Sequence, residues 1–123
     1  MKKLFLVCLM MLAGSAWAEW VMYAESNSNT YYFDPATIRK DGDMRRVWEL
    51  QDLKTMGEGG VMSRRGRREY DCKEERFRTL AVSTHSYPMA GGEVLVSGDG
   101  SKIWSDIAPG TIADTILKIV CAK

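Results

Sequence analysis

The chain has 123 residues, with 17 basic and 16 acidic side chains and a formal charge of +1. That length holds one small domain with a core near the lower limit for independent stability. So balanced a charge excludes a global pull towards nucleic acid or anionic membrane, and leaves electrostatic binding to local patches.

Residues 1–18, MKKLFLVCLMMLAGSAWA, have the three parts of a secretory signal. Lys2 and Lys3 are the positive start, residues 4–12 the short apolar run, and Ala16-Trp17-Ala18 the small-x-small cleavage site. The run is too short to cross a bilayer, which takes about 20 residues. Leu6 and Val7, not small residues, precede Cys8, so no lipobox is evident. The expectation is export to the periplasm or cell surface, with a signal peptide over 1–18 and a mature domain over 19–123. Loss of Lys2 and Lys3 makes that domain slightly acidic.

In the mature chain, EWVMYAES (19–26) alternates and reads as a strand, NSN (27–29) as a turn, and TYYFD (30–34) as an aromatic-rich strand. Asp34-Pro35 stops it and starts a short turn. KDGD (40–43) supplies Asp-Gly for a tight hairpin, and MRRVWELQDL (44–53) follows as a strand. Residues 54–63 hold glycines without a period and read as a mobile loop. One long extended region is expected from about 67 to 86, where a switch in apolar parity points either to a bulge near 74–76 or to a face amphipathic throughout. YPMAGG (87–92) is a turn, EVLVS (93–97) a strand, and GDGS (98–101) another turn.

The C-terminal stretch alone reads as helix. Thr111 caps it, and Asp114 stands at the third position, where it can return a bond to the cap backbone. Ile112, Ile116, Ile119 and Val120 form an apolar stripe. Without Cys8, the chain keeps Cys72 and Cys121, which in an oxidising compartment allow one intramolecular pairing. Closing a loop of about fifty residues restricts the unfolded chain by about 4 kcal/mol. A redox or metal role lacks both the C-x-x-C spacing and clustered histidines. The fold class is α+β: a meandering antiparallel sheet of about six strands, with one C-terminal helix packed on it and tied by the Cys72–Cys121 disulfide.

Several stretches together resemble the surface-adhesin protein E family: VWELQD after a hairpin, EYDC opening a strand, WSDIAPGT, and a near-terminal helix closing on Cys121. The most specific are Tyr70-Asp71-Cys72, Trp104 ahead of Pro109-Gly110, and the final cysteine. The resemblance covers essentially the whole mature chain. It implies a six-stranded antiparallel sheet with a disulfide-held helix. It also implies a non-enzymatic adhesin binding host proteins such as vitronectin, laminin and plasminogen. An outer-membrane lipoprotein is implied as well, and there the sequence departs from the family, having Ala16-Trp17-Ala18 and no lipobox.

Candidate binding residues are Arg64, Arg65, Arg67 and Arg68, four arginines in five positions. Guanidinium groups take sulfate, phosphate or carboxylate bidentately, which suits a glycosaminoglycan or an acidic protein surface. Read as a loop leading into a strand, the cluster could reach a partner without disturbing the core. The bland alternative is a solvated loop neutralised by Glu69, Asp71, Glu74 and Glu75. His85, the lone histidine, reads as a polar residue at a strand end, since a base–nucleophile pair with Ser83, Thr84 or Ser86 needs a third group. GEGG and GDGS lack the Gly-Lys-Ser/Thr ending of a phosphate loop, and the DGDM stretch lacks the glycine and glutamate of a calcium loop. Trp20, Trp48 and Trp104 read as core or half-buried sheet residues.

The leading expectation is an exported, non-enzymatic binding protein with no cofactor or metal. Its partner is a host extracellular-matrix or serum protein or a polyanion, with a homodimer as a further option and no nucleic acid. The alternative is a soluble periplasmic structural or assembly factor with no host contact.

Overall fold

The computed structural model describes residues 18–122. Eight strands form one antiparallel sheet: β1 (Val21–Glu25), β2 (Asn29–Phe33), β3 (Arg39–Asp41), β4 (Met44–Leu53), β5 (Ser63–Asp71), β6 (Arg76–His85), β7 (Val94–Asp99) and β8 (Ser105–Asp106). The main path runs β1-β2-β4-β5-β6-β7, so six strands carry the sheet as expected. The short β3 shares an edge of β4 with β2, and β8 shares an edge of β6 with β7. One helix, α1 (Ile112–Val120), covers part of one face.

Strand periodicity decides which side chains meet that helix. Phe33, Val47 and Tyr70 come from β2, β4 and β5, and close on Ile116, Leu117 and Val120 of α1, with Tyr23 and Phe77 at the margin. Thr111 Oγ1 accepts from the Asp114 amide, as expected of a cap, but Asp114 accepts from Gly110 N rather than from the cap's own N–H. The apolar stripe is also rotated from the expected one. Leu117 is buried and Ile119 is 38 % exposed. Cys72 follows β5 and Cys121 is the helix C-cap; their sulfurs are bonded across a separation of 49 residues.

Three expectations fail, each for a local reason. The single extended region from 67 to 86 is two strands: Asp71 Oδ1 accepts from the amides of Lys73 and Glu74 and turns the chain, with Glu75 at φ 53. The parity switch comes instead from a register shift beside Arg67 and Arg68, where Arg67 pairs Ala81 and Arg68 pairs Thr79. Residues 54–63 are tied down rather than free. Leu53 N donates to Met62 O, Met62 N to His85 O and Gly57 N to Val61 O, with Val61 buried and Ser63 already in β5. Finally, β7 runs through to Asp99, and Gly100 passes Thr79 so closely that a Cβ there would lie 2.2 Å from its carbonyl oxygen. No helix among the described residues is long and apolar enough to cross a membrane. The signal-peptide expectation concerns residues almost all outside those described.

Candidate binding site

Arg64, Arg65, Arg67 and Arg68 lie inside β5, not in a loop, which corrects the expected setting of the cluster. Alternation then divides them. Arg64 and Arg68 stand opposite Gln51 and Val47, on the face that bears α1. Arg65 and Arg67 stand opposite Leu50 and Trp48, on the other face. The four therefore cannot act as one patch.

On the helix face, Arg68 lies over the Phe77 ring at 4.9 Å and near Glu49, Nη1 to Oε1 3.8 Å. Glu49 is buried, and its two carboxylate oxygens accept from the hydroxyls of Tyr23 and Tyr70. Burial pushes the Glu49 carboxyl up, against the pull of Arg68 and the two hydroxyls. Burial and the Glu49 charge push both tyrosines up in turn. Beside this group opens a cleft of about 350 Å³, lined among others by Tyr31, Gln51, Arg64, Gly66, Val82 and Asp99.

On the opposite face the carboxylates of Glu69 and Asp71 are paired locally. Glu69 accepts from Arg46 and Arg78, and Asp71 from Arg76. Burial raises the Glu69 carboxyl, but the two arginine contacts outweigh it and hold the group below its usual value. Arg76 and Arg78 sandwich Trp104 at 4.4 and 4.5 Å, and Arg65 lies 5.1 Å from the Trp48 ring. Trp20, Trp48 and Trp104 are each half-buried, as expected. Trp20, Trp48 and Arg65 border a second, smaller groove.

His85 and Ser83, two apart on one strand face, meet at 2.8 Å through Nε2 and Oγ. The pair is buried, and among the described residues Nδ1 has no hydrogen-bond partner to act as a third group. Among the described residues no group of three or more His, Cys, Asp or Glu is placed to hold a metal ion. What the sequence reading missed is the tyrosine-bound Glu49 and the cleft. The signal was present in R-R-G-R-R: read as a strand, it puts Gly66 between two same-face arginines and leaves a hollow there.

The architecture is an open antiparallel sheet with a disulfide-tied terminal helix and surface clefts. The family model for surface-adhesin protein E matches residues 20–122, and the chain belongs to that family. Its fold is similar to a crystal form of Haemophilus influenzae protein E at TM-score 0.71 and 14% identity, covering 84% of this chain and 87% of that one. A second structure of that protein matches at TM-score 0.63 and 15% identity, with 84% and 83% covered. No curated protein matches the sequence significantly. Family membership makes this an adhesin-like protein, exported or at the surface, and a binding role the expectation.

Proposed function

We propose that the chain is an exported, non-enzymatic binding protein whose partner is a host extracellular-matrix or serum protein, of the vitronectin, laminin or plasminogen kind, or a polyanion. The observation that carries this reading is β7. All six of its residues are exposed, Val94 at 58 % and Val96 at 66 %, with Tyr87 and Met89 exposed on the preceding turn. An apolar edge strand with unpaired backbone groups is a surface that another chain can extend. Arg64 and Arg67, which have no ion pair among the described residues, supply cations on either face of β5 for an acidic partner.

The test is a biosensor assay of the disulfide-intact mature domain over immobilised vitronectin, laminin, plasminogen and heparin. Val96→Lys is expected to weaken capture of the protein ligand about tenfold at unchanged melting temperature, as a buried apolar contact is replaced by a charge. Arg64→Gln with Arg67→Gln is expected to abolish retention on heparin at low salt. Flow-through of the wild type on every surface would overturn the reading.

The alternative, a periplasmic structural or assembly factor, draws support from Ala16-Trp17-Ala18 and the absence of a lipobox. Fractionation separates the two readings: a wholly soluble periplasmic pool, with none accessible to external protease, favours the alternative.

A further inference from the structure

The helix-face cleft has a specific cause and a specific polarity. Residue 66 contributes no side chain, so the strand face is hollow between Arg64 and Arg68. A Cβ placed there would reach within 3.2 Å of the Ala81 carbonyl oxygen. Gly66 faces Glu49 on one side and Val82 on the other. Across β6, Gly100 packs against the Thr79 backbone and borders the far side of the cleft.

The polar groups are unevenly satisfied. Both oxygens of Glu49 are taken by tyrosine hydroxyls, and Arg68 stays at 3.8 Å, beyond hydrogen-bond reach. Arg64 has no carboxylate within ion-pair distance among the described residues and is exposed. Two guanidinium forks thus border the hollow from β5. On either side of β5, Gln51 of β4 and Val82 of β6 share this face, with Tyr31 of β2 beyond Gln51.

We infer that this cleft binds the C-terminal end of a peptide chain. The free carboxylate lies on Arg64 and Arg68, the last apolar side chain lies against Val82 on β6, and an amide N–H points towards the Gln51 side-chain oxygen on β4. A volume of about 350 Å³ is at the low end for ligand sites and suits one or two residues. Arginine forks match a carboxylate bidentately, whereas a neutral amide end offers them one acceptor in place of two. The inference rests on the reading of the chain as a binding protein, and deepens it by naming a ligand class at one place.

The experiment titrates the disulfide-intact mature domain with N-acetyl-phenylalanine, its primary amide and 3-phenylpropionate, followed by amide and arginine Nε–H shifts in NMR. The acid is expected to shift residues 51, 64–68 and 82 and to bind about tenfold more tightly than the amide, the worth of one charge-assisted contact. Arg64→Gln should weaken the acid about tenfold. Gly66→Val, which fills the hollow, should remove binding while keeping a dispersed spectrum. If that variant does not fold, Arg64→Gln, at an exposed position, decides. Equal affinity for acid and amide, or shifts confined to the Trp20–Trp48 groove, overturns the inference. So does 3-phenylpropionate binding as tightly as the acetylated amino acid, which would assign the cleft to free organic acids. Failure here leaves capture of vitronectin, laminin or plasminogen untouched, because those assays read β7.

Discussion

Glu49 shows how a residue's worth depends on what surrounds it. A buried carboxylate is costly unless donors and a cation offset the loss of water, and here two tyrosine hydroxyls and Arg68 do so. Replacing Arg68 by Ser should therefore lower stability by about 1–2 kcal/mol, discounted because the arginine is partly exposed. Arg64→Ser should stay within about 0.5 kcal/mol. Urea midpoints of the two variants check the contrast, and equal midpoints would show that Glu49 does not depend on Arg68. The acid response should come in two stages. Burial, helped by Arg65, holds the His85 imidazole below its usual value of 6.5, so the unfolded chain binds more protons there. Stability should be full above that pH and decline as pH falls through the lower folded value. Glu69 and Asp71 are likewise held low: burial opposes the shift, but arginine contacts, and turn amides for Asp71, prevail. Their contribution is present above about pH 4.5 and is lost below it. A urea-midpoint profile from pH 8 to pH 3 should show both declines, and His85→Gln should erase only the first.

At the scale of elements, α1 is short and depends on its ends and its anchor. Nine residues do not form a stable helix alone, so the cap at Thr111, the buried Ile116, Leu117 and Val120, and the bond to Cys72 act together. Thr111→Ala should cost about 1 kcal/mol, the usual worth of an N-cap. Cys72→Ser should cost about 2–5 kcal/mol. Denaturant titration measures both, and an unchanged midpoint for Cys72→Ser would remove the disulfide from the account of stability. The hairpin of β5 and β6 is governed by one side chain, since Asp71 serves the turn amides and Arg76 at once. That double role was hidden in the sequence, where Asp71 reads as part of the Tyr70-Asp71-Cys72 motif and of a charged stretch but not as a turn residue.

For the whole molecule, the sheet has two free ends among the described residues, β1 and β7; β1 exposes Val21 and Met22, whereas β7 exposes all six of its residues, with the longer apolar run Val94, Leu95 and Val96. Self-association, if present, should use that edge. Light scattering of the mature domain at rising concentration should then show a dimer that Val96→Lys returns to monomer. A dimer that survives the substitution would place the contact elsewhere. The export expectation is tested by mass: the secreted protein should begin at Glu19 without an acyl chain, and a lipidated form would restore membrane anchoring.

Local signals were enough for much of this molecule. Aromatic and β-branched runs, Asp-Gly at residues 41–42, the cap at Thr111 and the cysteine count marked the strands, the first hairpin, the helix and the disulfide. Each depends on near neighbours or on simple pairing. The arginine cluster, the packed 54–63 segment and the true stripe of α1 were not legible, because each depends on residues distant in the chain. Strand register sends Arg64 and Arg68 to one face and Arg65 and Arg67 to the other. The carbonyls of Met62 and His85 tie down a glycine-bearing stretch that by composition alone looks free. Sheet curvature and the placement of Gly66 and Gly100 then turn a bland basic run into a cleft, and only three-dimensional packing decides such a shape.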